Sequence, residues 1–136
     1  MKVNTRIRYG IRAMIEIAKN NNGTGIFQKD ISKNQEISNK YLDHIINGLK
    51  VAQLIRKKSK KEGYVLTRNP SEITIYDINN AFEPGINIIE CIEDGMYCNR
   101  EDKCEVQEFW RNLNDLITTH YKSVTLEDLL KKNLSY

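Results

Sequence analysis

Residues 26–55, "IFQKDISKNQEISNKYLDHIINGLKVAQLI", carry two amphipathic patterns separated only by a short polar break at Asn34 to Ser38. Ile31 belongs to the first pattern, and Leu42, Ile45, Ile46 and Leu49 belong to the second. Spacings of three and four place such side chains on one helical face. Ser38 suits the N-cap of the second helix, because its hydroxyl can accept an otherwise orphaned backbone N–H. Upstream, "TRIRYGIRAMIEIAK" aligns Ile7, Ile11, Met14, Ile15 and Ala18 as one apolar stripe, and "NNNGTG" ends it. One supporting helix followed by two short helices across a tight turn is a helix-turn-helix pattern.

The segment that follows, "LIRKKSKKEGYVL", reads as strand, basic turn and strand, with Leu54 and Ile55 on one arm and Tyr64, Val65 and Leu66 on the other. A hairpin directly after a second helix is a wing. Its tip places Lys57, Lys58, Lys60 and Lys61 where phosphates or a minor groove would lie. Asn69-Pro70 marks a boundary, Thr74 and Asp77 form a capping box for a short helix to about Glu83, and Pro84-Gly85 terminates it. Residues 86 to 101 read as irregular.

From Asp102 to Val124 a helical pattern returns, with Val106, Phe109, Trp110, Leu113, Leu116, Ile117, Tyr121 and Val124 on the apolar side. At 1.5 Å per residue that helix spans about 35 Å, more than a small winged unit needs to cover itself. Its apolar face is therefore expected to pack against a second copy, with His120 beside the stripe at the dimer interface. Thr125 and Asp128 cap a last short helix to about Lys132. The expected fold is mainly α with a small β wing: a winged helix-turn-helix over 1–85, a cysteine-containing loop over 86–101, and a dimerisation helix with its short companion over 102–136.

Charge is segregated along this frame. Residues 1–68 hold 15 Lys and Arg against 5 Asp and Glu, while residues 69–136 hold 6 against 13. A basic half that coincides with a helix-turn-helix points to double-stranded DNA, since Lys and Arg on phosphates release condensed counterions. Recognition-helix N-termini enter the major groove, which places Ser38, Asn39, Lys40, Tyr41, Asp43 and His44 near bases or flanking phosphates. Lys40 and Tyr41 suit phosphate, Asp43 can accept from cytosine, His44 can donate to a base edge, and Gln28 at the start of the preceding helix can donate to phosphate. No charged-then-apolar leader and no long apolar run stands in the chain, so a cytoplasmic protein without a membrane span is expected. No glycine-rich phosphate loop appears and neither histidine is near a cysteine in sequence, so no catalytic activity is expected.

All three cysteines, Cys91, Cys98 and Cys104, fall within "CIEDGMYCNREDKC", spaced C-x6-C-x5-C. An odd thiol count cannot pair fully within one chain, and in a reducing compartment clustered thiols serve as ligands or redox groups. Zinc usually shows C-x2-C pairs, which are absent, whereas iron-sulfur clusters accept looser spacing. Spacing ranks an iron-sulfur cluster first and a thiol redox switch second, with a zinc or metal-binding module, or three inert thiols, after that.

The segments "RYGIRAMIEIA", "ISNKYLDHIINGLKVAQLI", the wing ending "GYVL", "ITIYDINNAFEP", "CEVQEFWRNLNDLI" and "TLEDL" together resemble the Rrf-type (IscR/NsrR/CymR-like) winged-helix transcription regulators over essentially the whole chain. The resemblance implies a bacterial homodimer with crossed C-terminal helices. It also implies a 2Fe-2S or 4Fe-4S cluster on Cys91, Cys98 and Cys104, and it favours the cluster-binding branch over the cluster-free one. Two departures stand out. Gln107 occupies the position of a histidine ligand in some members, and Arg8 that of an aspartate ligand in others, so the fourth ligand is open among Glu101, Asp102, Glu105, Glu108 and an exogenous group. At the wing, "KKSKKEG" replaces an Arg-Gly-rich tip, which keeps the charge but not arginine's planar fork.

Overall fold

The first backbone N–H groups of a helix lack intrahelical partners, and among the described residues side chains serve them at four α-helix starts. Asn4 accepts from the Arg6 amide at 2.7 Å and opens α1, Thr5–Lys19. Ser38 accepts from the Tyr41 amide at 3.2 Å and opens α3, Asn39–Val51, as its sequence position predicts. Thr74 with Asp77 and Thr125 with Asp128 form full capping boxes for α4, Ile75–Asn80, and α6, Leu126–Lys131. Each such cap is worth about 1 kcal/mol. The computed structural model describes residues 2–89 and 105–132, which also hold α2, Gln28–Gln35, a two-stranded antiparallel sheet, and α5, Gln107–Ser123.

The turn between α2 and α3 is tighter than the polar break suggests. α2 runs through Gln35, and Glu36 takes the left-handed conformation at φ 54°, so that the Ile37 amide donates back to the Ser32 carbonyl at 3.1 Å. That is a Schellman-type closure on a residue other than glycine. It turns Ile37 into the core at 4% exposure.

One apolar core joins these elements. α1 contributes Ile7, Ala13, Met14 and Ile17, α2 contributes Ile31, and α3 contributes Leu42, Ile45, Ile46 and Leu49. Leu54, Ile55, Tyr64, Leu66, Ile73, Ile78 and Leu126 complete it. The buried face of α1 is rotated from the stripe expected from sequence. Ile11, Ile15 and Ala18 are half-buried at its flank, while Gly10, Ala13 and Ile17 face inward, because α2, α3, α4 and α6 all pack against α1. A buried Leu or Ile is worth roughly 1.5–3 kcal/mol, so this cluster dominates the stability of the N-terminal half.

The wing strands β1, Ile55–Lys57, and β2, Tyr64–Leu66, pair in the register Ile55 with Leu66, Arg56 with Val65 and Lys57 with Tyr64. Ile26 adds a third, bridge-like rung by exchanging hydrogen bonds with Tyr64 at 3.1 and 2.7 Å. The chains approach so closely there that a methyl on Gly63 would sit 2.4 Å from the Ile26 carbonyl carbon, so glycine is required.

Two helix boundaries differ from expectation. α4 ends at Asn80, short of Glu83, because the Asn79 amide donates to the Glu83 and Gly85 carbonyls and Asn80 accepts from the Gly85 amide, which bends the chain away. α5 begins at Gln107; Glu105 and Val106 form a turn, and no side chain caps it. At its far end Val124 is extended rather than helical. Its carbonyl accepts from the Ile75 amide at 2.9 Å, and Thr125 bridges Thr74 to start α6. The described helix of 17 residues is about 25 Å long, shorter than the 35 Å expected.

Candidate DNA interface

The start of α3 presents Ser38, Asn39, Lys40, Asp43 and His44 on an exposed surface, while Leu42, Ile45 and Ile46 from the same helix are buried. This alternation follows from the helical repeat: the face that does not pack is the one left to meet a ligand. Tyr41 is half-buried, its ring edge-on to Tyr9 of α1 with centroids 5.5 Å apart. Arg12 lies over Tyr9 at 5.1 Å and donates to the Gln35 side chain at 3.0 Å and to the Gln35 carbonyl. Gln35 and Asn34 in turn donate to the buried Glu16 carboxylate at 2.7 and 3.1 Å.

Sequence reading did not single out Tyr9, Arg12, Glu16 or Gln35, yet they fix the α2–α3 turn against α1. A glutamate three residues from Ala13 and one from Ile17, on a helix whose neighbours are buried, was the available signal.

Gln28 has a more specific environment than a free phosphate donor. Its Nε2 donates to Asp43 Oδ1 at 2.5 Å and to the Asn39 carbonyl at 3.3 Å, joining the start of α2 to the exposed face of α3. Three of the residues expected at the interface, Gln28, Asn39 and Asp43, therefore form one hydrogen-bonded unit.

In the wing, Lys60 and Lys61 are exposed at the tip. Lys58 is anchored: its Nζ donates to the Gly23 carbonyl and lies 3.9 Å from Glu62. Lys57 extends over the Tyr64 ring at 5.6 Å. Burial, and secondarily the Asp43 carboxylate of the recognition helix, raise the Tyr64 phenol above its ordinary value of 10.0.

α5 carries a different kind of surface. None of its residues is buried; Phe109 and Leu116 are 59% and 69% exposed, and Val106 just before it is 53% exposed. Trp110, Leu113, Ile117 and Tyr121 are half-buried, and His120 is exposed. Asn114 faces the chain: it donates to the Ile86 carbonyl at 2.7 Å and accepts from the Ile88 amide at 2.9 Å. The side-chain nitrogen of Gln107, in the first turn, is buried with no hydrogen-bond partner among the described residues. Cys91, Cys98 and Cys104, together with Glu101 and Asp102, lie outside the described residues. Glu105 and Glu108 are exposed, as is Arg8 on α1, where the Thr5 hydroxyl accepts from its guanidinium.

A helix pair with an exposed second-helix start, flanked by a lysine-tipped wing, defines a winged helix-turn-helix DNA-binding regulator. The model of the Rrf2 family, described as iron-dependent transcriptional regulators, matches residues 3–132, and the chain belongs to that family. It is similar to the HTH-type transcriptional regulator CymR of Bacillus subtilis, 33% identical over 130 residues that cover 95% of this chain and 89% of that protein. The HTH-type transcriptional regulator IscR of Escherichia coli O1:K1 / APEC is 28% identical over 131 residues, covering 96% of this chain and 80% of that one. The solved structure of CymR, described as the global cysteine regulator of B. subtilis, superposes with a TM-score of 0.78 at 32% identity, covering 97% of this chain and 98% of that one. The chain is thus a transcriptional regulator of a non-enzymatic family. No helix among the described residues is long and apolar enough to cross a membrane.

Proposed function

We propose that this chain acts in the cytoplasm as a homodimer that binds double-stranded operator DNA, with an affinity set by an iron-sulfur cluster on Cys91, Cys98 and Cys104. The observation that carries the DNA reading is the exposed start of α3, where Ser38, Asn39, Lys40, Asp43 and His44 stand free of the core beside the exposed wing lysines Lys60 and Lys61. Lys40, Lys60 and Lys61 meet phosphates, and the Gln28–Asp43 unit and His44 meet base edges. Two such faces are required for a two-fold operator. The exposed apolar residues of α5 supply the contact between copies, with Val106, Phe109, Trp110, Leu113, Leu116, Ile117, His120 and Tyr121 at the interface.

For the cluster, the support is chemical. Three thiols within fourteen residues form a donor set that iron-sulfur clusters use, and the family description is iron-dependent. Gln107 adds a buried amide N–H, without a partner among the described residues and three residues after Cys104, the kind of donor that bonds sulfur in such sites. When bound, the cluster supplies a redox-sensitive cross-link of the cysteine segment. The protein's own part is to convert that restraint into the placement of two recognition helices.

Anaerobic purification with iron and sulfide quantification tests the cluster directly. Operator affinity at fixed salt is expected to differ between the loaded protein, the emptied protein and Cys98→Ala, and equal affinities would refute cluster control. A second reading, a cluster-free thiol switch, is favoured by the similarity to CymR, named a cysteine regulator. It predicts a colourless protein whose operator affinity responds to thiol oxidation alone.

A further inference from the structure

Two glycines lie inside helices of the DNA-reading half, Gly10 in α1 and Gly48 in α3, where glycine is destabilising relative to alanine. Both face one ring. A methyl on Gly10 would lie 2.5 Å from Phe82 Cε2, and a methyl on Gly48 would lie 2.6 Å from Phe82 Cε1. The ring therefore sits edge to edge in a slot that only paired glycines leave open. Neither glycine has a positive φ, so the slot, not backbone conformation, accounts for them.

Phe82 is also the first residue of a tightly held segment. Its amide donates to the Asn79 carbonyl at 3.1 Å. The buried Asn79 side chain fixes the Glu83 and Gly85 carbonyls at 3.1 and 3.0 Å. Asn114 of α5 then brackets Ile86 and Ile88. Continuous contacts thus run from α5, through residues 82–88, to Gly48 in the C-terminal part of the recognition helix, and the cysteine segment begins just beyond.

We propose that Phe82 is a positioning residue that couples the recognition helix α3 to the 82–88 segment and α5, so that displacement at either end moves the other. Filling the slot with a ring, rather than with two flexible side chains, makes the joint stiff, as close packing transmits small displacements. This rests on the DNA-binding reading above but not on the cluster.

Coupling is reciprocal, so it can be read from the DNA end. The full chain is titrated with a duplex selected by the wild-type protein from a random pool, and amide resonances are followed by NMR. Saturation is expected to shift the Ile86 and Ile88 backbone amides and the Asn114 side-chain amide. In Phe82→Ala and in the milder Phe82→Leu those shifts should fall by about fivefold or more, while Lys40 and His44 still respond. Gly48→Ala should weaken duplex binding by about tenfold, and Gly48→Ala/Phe82→Leu should recover most of it.

A purely structural ring would change the unfolding midpoint without decoupling the two sets of resonances. Undiminished shifts in both Phe82 variants, or none in the saturated wild type, would overturn the proposal, as would wild-type binding and shifts in Gly48→Ala. If emptying the cysteines leaves wild-type affinity unchanged, cluster control fails and the coupling stands on its shifts. If the wild type selects no duplex, the DNA reading fails and takes the coupling with it.

Discussion

In α3 the residues Leu42, Ile45, Ile46 and Leu49 are all buried within the chain, whereas in α5 no residue is, although Phe109, Leu113, Leu116 and Ile117 also recur at spacings of three and four. The helices are of similar length and both are amphipathic. What separates them is supply of partners. α3 packs against α1, α2 and β1, while the main neighbour of α5 among the described residues is α4. An apolar stripe therefore states only that a surface will be covered; the number of elements around it determines whether the chain itself does so.

Truncating the two stripes should break this symmetry most clearly. Leu42→Ala is expected to cost about 2–5 kcal/mol, seen as a large drop in the urea midpoint, because the cavity forms in a closed core. Leu116→Ala should barely move that midpoint for the isolated monomer. A comparable loss from both substitutions would show that α5 is as fully packed in the monomer as α3. Leu116→Glu tests the other side of the comparison. A charge in the centre of the proposed copy-to-copy contact should weaken dimerisation by about 2 kcal/mol or more, read as monomer in sedimentation velocity at concentrations where the wild type is paired. An unchanged dimer would place the contact elsewhere.

The same contrast explains what was legible in the sequence. The helix-turn-helix, its Ser38 cap, both capping boxes and the wing hairpin depend on short-range signals, namely apolar spacing, cap residues and a basic turn between two short apolar runs, and the structure carries all of them. The missed features depend on contacts between distant residues. The rotation of α1's buried face depends on four helices, α2, α3, α4 and α6, packing against it, and the Gly10–Phe82–Gly48 slot joins positions that no local pattern relates. The end of α5 at Ser123 follows from Val124 being drawn into pairing with α4, again a tertiary effect. Gln28 and Asp43 were each legible as polar residues near the groove; that they bond one another was not.

A smaller effect is expected inside the well-packed half. Glu16 is a charged side chain at 7% exposure whose two oxygens accept from Asn34 and Gln35. Gln35→Ala removes one donor from a buried carboxylate and should cost about 1–3 kcal/mol in equilibrium unfolding. Because Gln35 also holds Arg12, operator affinity should fall with it; a neutral result on both counts would mean that the network does not fix the turn. At the wing, Lys60→Ala should lower affinity by a similar factor for every duplex and reduce the salt slope by about 1, whereas Lys58→Ala, already tied to Gly23 and Glu62, should change the slope less. Equal slopes for the two would remove the distinction drawn between anchored and exposed tip lysines.

The smallest effect is electrostatic and links the wing to the recognition helix. Burial first, and the Asp43 carboxylate second, raise the Tyr64 phenol above its ordinary value of 10.0. A folded-state value above the unfolded one means that folding favours the protonated phenol. The associated stability is fully present below the unfolded value and declines as pH rises through the folded one. Unfolding measured across the alkaline range should therefore show a decline that Tyr64→Phe lessens. Asp43→Asn removes only the second cause, so an NMR titration of the Tyr64 ring should show its pKa move partway back toward 10.0. If Asp43→Asn leaves it in place, burial alone sets the shift, and β2 and α3 meet through packing without a shared field.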